Sequence, residues 1–189
     1  MLMILYKMEL ASYCIWKKGF KMRIFLFLLL AINLMANSFD SLLLKTQAII
    51  FPKIILLDKD VENKLFNNKI VFSIVYTKNE LSKAEQLKSM IDKEYMDRLD
   101  KYDFEVQLLN EKQFFEDNKS TSYYLFNSSI STKYKKNHIY FGYDYKNFND
   151  NILISLFVQD KTYIYLNKIA LSKCNIRFLP VFYKIARFK

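Results

Sequence analysis

The residues that could do chemistry are few, and their spacing says as much as their identity. The chain has one histidine, His138, in Lys136-Asn137-His138-Ile139-Tyr140, where a helix is expected to meet a strand. A ligand or general base needs partners, and no HxH, CxxC or HExxH surrounds it, so a loop or strand-edge histidine is the plainer reading. Beyond residue 36 the only cysteine is Cys174, in Leu171-Ser172-Lys173-Cys174-Asn175, which reads as a small apolar residue at a helix end. One thiol cannot close an internal disulfide; a bridge to another chain is its only alternative. Ser155 lies inside a strand-like run with no nucleophile elbow around it. Carboxylates cluster at Asp58, Asp60 and Glu62, at Glu116-Asp117 and at Asp144 and Asp150. Paired carboxylates do acid-base work when a cleft holds them, but these lie in polar segments that read as solvated loops. The stretch that remains is Thr162-Tyr163-Ile164-Tyr165-Leu166, whose alternation puts Tyr163 and Tyr165 on one face of a strand. That face is the candidate surface for a flat ligand or a partner, unless a helix covers it.

Glycine sharpens the exclusions. The only glycine after residue 36 is Gly142, so neither a phosphate-cradling loop nor a dinucleotide fingerprint can be built, and no cofactor is expected. The formal charge of the full chain is +10; without the five basic residues and one acidic residue before position 37, 24 basic against 18 acidic side chains remain. The excess is scattered, as at Lys133, Lys135, Lys136, Lys184 and Arg187, rather than gathered into a stripe with stacking residues beside it, so no nucleic-acid role is expected.

The first 36 residues are read apart from the fold. Lys17, Lys18, Lys21 and Arg23 precede the apolar run from Ile24 to Met35, and Ala36 supplies a small residue after it. This is the pattern of a signal peptide over 22–36 with processing after Ala36. The run is shorter than the roughly 20 residues of a bilayer-spanning helix and contains Asn33. Leu34 stands where a small residue is usual, and an uncleaved N-terminal anchor would give the same topology. Residues 1–21 are a leader, with Met22 as an alternative start. The expected location is the periplasm, with a body over 37–189 that does not span the membrane.

Those 153 residues suit one domain. Ser38 is placed to cap a helix with Phe39, Leu42, Leu43, Ile49 and Ile50 on its apolar face, interrupted at Phe51-Pro52. Ile70 to Tyr76 is a nearly continuous apolar, β-branched run, broken only by Ser73, the signature of a strand buried on both faces. Thr77 and Glu80 stand at capping-box spacing before a helix with Leu81, Ala84, Leu87, Ile91 and Tyr95 inward. Phe104 to Leu109 is the return strand, followed by a short helix near Gln113 to Asp117, a strand over Ser122 to Phe126, a polar helix over Ser128 to Lys136 and a strand at Ile139 to Phe141. Ile152 to Val158 and Thr162 to Leu166, separated only by Gln159-Asp160-Lys161, predict an antiparallel hairpin. A helix at Lys168 to Lys173 and a last one with Pro180 in its first turn follow, the latter with Val181, Phe182, Ile185 and Ala186 inward. The fold class expected is α/β: a layered single domain with a mainly parallel sheet, a C-terminal antiparallel hairpin and flanking helices.

The run from Asn151 to Leu171 and the ending Ile176-Arg177-Phe178-Leu179-Pro180-Val181-Phe182-Tyr183-Lys184-Ile185-Ala186-Arg187 resemble the C-terminal part of YfiR-type periplasmic proteins. In these an apolar strand, a charged turn, a second strand, an Asn before an Ala-containing helix and a terminal helix closing on Ala-Arg recur in that order. Leu43-Leu44-Lys45, Phe51-Pro52 and the strand from Ile70 are compatible with the family's opening. The resemblance implies a non-enzymatic regulator that represses a membrane-bound diguanylate cyclase, in cyclic-di-GMP signalling, by binding its periplasmic part, with a homodimer as one form. The family's cysteine pairs are missing here, which puts redox control by an internal disulfide in doubt. A periplasmic small-ligand-binding domain is the alternative, and an envelope hydrolase fares worst because one histidine and one thiol leave few catalytic arrangements.

Overall fold

The central apolar run does form a strand with neighbours on both sides. In the computed structural model, which describes residues 40–127, 129–130, 137–149 and 151–189, β1 (Lys69–Tyr76) is buried from Ile70 to Val75. The expectations for Met22 to Ala36, the Ser38 cap, Asp150 and most of the Ser128–Lys136 helix lie outside these residues. The chain divides into two units, Met1–Leu42 and Leu43–Lys189; the second carries the sheet.

β1 pairs in parallel with β3 (Tyr102–Asn110) on one side and β4 (Ser122–Leu125) on the other. Beyond β4 come β5 (Ile139–Gly142) and β6 (Ile154–Val158), both parallel, then β7 (Thr162–Leu166), antiparallel to β6, and β8 (Ala186–Phe188), parallel to β7. A two-residue β2 (Arg98–Leu99) closes the far edge against β3, giving the order β2-β3-β1-β4-β5-β6-β7-β8. The architecture is thus α/β, one mixed sheet of eight strands, mostly parallel with one antiparallel hairpin. The chain leaves β1 for β3 and then returns across β1 to β4, so successive helices fall on opposite faces, as in doubly wound sheets. α2 (Leu81–Tyr95) buries Ala84, Leu87 and Ile91 on the face of Ile70, Phe72 and Ile74. α3 (Glu111–Glu116) buries Phe114 on the face of Val75, Tyr123 and Tyr140.

Local chemistry starts these elements where expected. The Glu80 carboxylate accepts from the Thr77 N–H (2.8 Å) and hydroxyl (2.7 Å), fixing the turn into α2. Asn110 and Gln113 exchange side-chain and backbone bonds at the head of α3. Asn167 accepts from the Ile169 and Ala170 N–H groups, opening α4 (Lys168–Lys173). With glycine so scarce, left-handed backbone falls to other residues: Asn67 and Asn68 (φ 51° and 63°) turn the chain so that Phe66 and Lys69 exchange two bonds of 3.0 Å.

Four expectations are corrected. Pro52 does not interrupt the first helix: α1 runs over 40–55, and Pro52 is itself buried within it. The proline forfeits one N–H, but Phe51, Ile54 and Ile55 are each at most 2% exposed, and Phe51 stacks on Phe141 at 4.4 Å, so burial outweighs the local preference. The inward face of α1 is accordingly Leu43, Leu44, Gln47, Ala48, Phe51, Ile54 and Ile55 rather than one centred on Ile49 and Ile50. In α2, Leu81, the first residue of the helix, is exposed, and the buried face begins one turn later at Ala84. In α5 (Pro180–Ile185) only Phe182 is buried; Val181 and Ile185 face solvent, and Ala186 begins β8, since the helix ends after six residues and the chain pairs with β7.

Candidate functional site

Two regions collect the residues singled out from sequence. The first is the hairpin face. Tyr163 and Tyr165 do share it: Tyr163 lies opposite Phe157 and Tyr165 opposite Ser155 in the β6–β7 register, and β8 sets Arg187 beside Tyr165. The rings are half-buried because they are dressed by cations and another ring. The Arg187 guanidinium sits 3.6 Å from the Tyr163 centroid, and Tyr145 stacks on Tyr165 at 4.9 Å and 26°. Tyr145 also meets Phe157 at 4.8 Å, while Lys189 Nζ lies 4.4 Å over the Tyr145 ring and donates to its carbonyl at 3.0 Å. The turn carrying Tyr145 is held by Asp144, whose carboxylate accepts from the Lys146 N–H at 2.8 Å. The result is a ladder of aromatic rings interleaved with two fixed cations. Sequence alternation finds the two tyrosines; Arg187, Lys189 and Tyr145 reach them only through the β7–β8 pairing and a turn some twenty residues away.

The second region is a pair of adjoining clefts at the end of the sheet where β4 and β5 begin. One, of about 610 Å³, is lined by Asp60, Asn63, Lys64, Asn137, Cys174 and Arg177 among others. The other, of about 300 Å³, shares Asn63, Lys64 and Asn137 and adds Phe66, Lys119 and His138. Asp60 and Cys174 thus come to one cleft and His138 to the cleft beside it, although the three are far apart in sequence. Arg177 grips Asp60 through Nε (3.1 Å) and Nη2 (2.8 Å), and this pairing holds the Asp60 carboxyl below the ordinary carboxylate range. Lys64 is paired with buried Asp58. The Cys174 thiol is buried and faces the Leu171 carbonyl at 3.5 Å; His138 Nδ1 lies 3.4 Å from the Thr121 carbonyl, with its ring edge-on to Tyr123 at 5.4 Å. The clefts offer the amides of Asn63, Asn137 and Asn175 to a polar small molecule, while their Lys64 and Arg177 are already paired with Asp58 and Asp60. Among the described residues no group of three or more His, Cys, Asp and Glu could hold a metal ion.

The other marked residues serve the fold. Ser155 donates to the Gly142 carbonyl at 3.0 Å, and Glu62 accepts from Lys101 and Tyr102, both at 2.9 Å, which lowers its carboxyl pKa. Asp117 anchors a buried network: its Oδ2 accepts from the Ser120 hydroxyl (2.6 Å) and the Tyr123 hydroxyl (2.7 Å), and Gln107 reaches Ser73 at 2.7 Å and Ser120 at 3.1 Å. Among the described residues no helix is long and apolar enough to cross a membrane. No protein-family model matches the chain, and neither does any curated protein.

Proposed function

We propose that this chain is an exported, non-enzymatic regulatory domain that acts by binding another protein, as the YfiR-type repressors it resembles bind the periplasmic part of a membrane-bound diguanylate cyclase. The observation that carries the reading is the Tyr163/Tyr165 ladder. Tyrosine and arginine dominate the energetics of protein interfaces, and rings already held by stacking lose little freedom when a partner docks. Phe157, Tyr163, Tyr165 and Arg187 form such a pre-organised patch on a rigid sheet.

The test places a photo-crosslinking residue at Tyr163 in cells and identifies the adduct by mass spectrometry. The expected product is an envelope adduct with a membrane-bound signalling protein, on a chain whose mass begins at Asn37. Arg187→Ala should weaken capture about tenfold or more, the scale of a hot-spot loss. Capture unchanged by Arg187→Ala, or adducts confined to cytosolic proteins, would refute the reading.

The polar clefts favour a second reading, a small-ligand-binding domain. A ligand at a hundred times its Kd should then stabilise the protein by about 2.7 kcal/mol, a rise of roughly 5–11 °C in Tm. A panel of anions, amides and polyols scanned by thermal melting, with Asn63→Ala and Asn175→Ala expected to abolish the shift, checks it.

A further inference from the structure

The last part of the chain combines two features that rarely coincide by accident. From Lys161 to Lys189 there are seven basic residues and no aspartate or glutamate. Of the ten large apolar side chains exposed among the described residues, six lie between Ile169 and Phe188: Ile169, Leu179, Val181, Tyr183, Ile185 and Phe188, each 37–53% exposed. They lie on α4, on α5 and its N-cap, and on the edge strand β8. Val181 and Ile185 stand one turn apart on α5 with Lys184 between them. Tyr183 stacks on Phe188 (6.3 Å, 11°), and Lys168 Nζ lies 5.5 Å over the Phe188 ring. The Lys168 N–H donates to the Lys189 carbonyl at 3.1 Å, which holds the start of α4 against the end of β8.

We infer that the α4–α5–β8 surface is an interfacial docking site for an anionic lipid bilayer. Val181, Ile185 and Phe188 enter the boundary between headgroups and acyl chains while Lys168, Lys173 and Lys184 meet lipid phosphates. Charge selects this occupant. A second copy would bring the same basic face against itself, and like charges across a symmetric interface repel. A peptide or helix docks by laying apolar anchors into a groove, whereas here the apolar groups project from a short helix and none of them lines the clefts described above. Lysines around projecting apolar side chains can spread their stems over the apolar layer and leave their ammonium groups at the phosphates. The inference goes beyond the partner reading and stands on other residues.

The full chain is mixed with vesicles of phosphatidylcholine, with and without one-third phosphatidylglycerol, and binding is read by co-sedimentation beside Lys168→Glu/Lys184→Glu and Val181→Asp/Ile185→Asp. All these positions are exposed, so the melting temperatures of the variants should match that of the parent. Binding should require the anionic lipid, weaken with salt, and fall at least thirtyfold in the lysine variant, about fivefold for each cation removed before the repulsion of the added carboxylates is counted. Because the apolar run at 22–36 is common to all variants, hydrogen exchange over residues 179–188 supplies a local readout: it should slow severalfold on anionic vesicles and stay unchanged on neutral ones. Equal exchange on both vesicles overturns the inference. So does a change in oligomeric size of either variant without lipid, which would mark a contact between copies, or loss of the Tyr163 adduct with vesicle binding intact, which would mark a protein contact. In the parent chain, failure of the vesicle arm leaves the Tyr163 crosslink untouched, and absence of that crosslink leaves the vesicle arm untouched; only its loss in the surface variants bears on the inference.

Discussion

Asp58→Ala is expected to cost about 3–5 kcal/mol of stability, the penalty for stranding one member of a buried ion pair. Asp58 is 3% exposed, and its carboxylate accepts from Lys64 Nζ and from the Asp60 N–H at 3.1 Å. The segment it organises is tied to the C-terminal part by Lys59 N–H to the Arg177 carbonyl and Leu179 N–H to the Leu57 carbonyl, both at 2.8 Å. Alanine leaves the Lys64 ammonium, only 10% exposed, without its counter-charge in a low-dielectric site. Urea unfolding should show a lower midpoint at unchanged slope. The double variant Asp58→Leu/Lys64→Met, which removes both charges, should recover most of the loss. A single-variant cost under about 1 kcal/mol, the range of exposed pairs, would show that the pair is not desolvated.

Asp117→Ala carries the next largest effect, about 2–3 kcal/mol near neutral pH, because the Ser120 and Tyr123 hydroxyls and the Ser120 N–H lose their acceptor. The pH dependence has a definite sign. Burial by itself pushes the Asp117 carboxyl up, but the hydrogen bonds from Ser120, Tyr123 and the Lys119 backbone outweigh it, and the net pKa lies below the ordinary value. A carboxyl depressed in the folded state contributes its full stability above the unfolded pKa of about 3.9 and loses it as pH falls through the folded pKa. The difference in melting temperature between parent and variant should therefore be constant from pH 7 to about pH 5 and shrink below about pH 4. A difference that grew on acidification would contradict the network.

The parts of the fold that could be read from the residues are those set by one local cause. Ile70 to Tyr76 has no polar face, so only a doubly covered strand accommodates it, and the three residues between Val158 and Thr162 leave no room for anything but a hairpin. Pro52 misleads because a backbone rule worth a few kcal/mol is weighed there against three large side chains seated in the core. The inward set expected for α5 presumed a longer helix; six residues give too few turns for periodicity to fix a face. β2 and β8, two and three residues long, carry too little pattern to be found. The pairing of Tyr163 with Tyr165 is a period-two fact and was visible, whereas Arg187 and Tyr145 arrive by pairing across the sheet. Likewise nothing in the residue order joins Asp60, His138 and Cys174, which reach adjoining clefts only because three loops end at one edge.

Those two shortest strands also bound the sheet on either side. A long, flat, unpaired border is a template on which stray chains add themselves, and natural sheets guard against it with stubby, charged outer strands. Here one border offers Arg98 and Leu99 and the other Ala186, Arg187 and Phe188, and because β2 pairs only with Tyr102 and Asp103, β3 from Glu105 to Asn110 has no outer strand partner among the described residues. Along that open stretch it is the exposed polar residues Glu105 and Asn110, rather than brevity, that discourage a stray strand from adding.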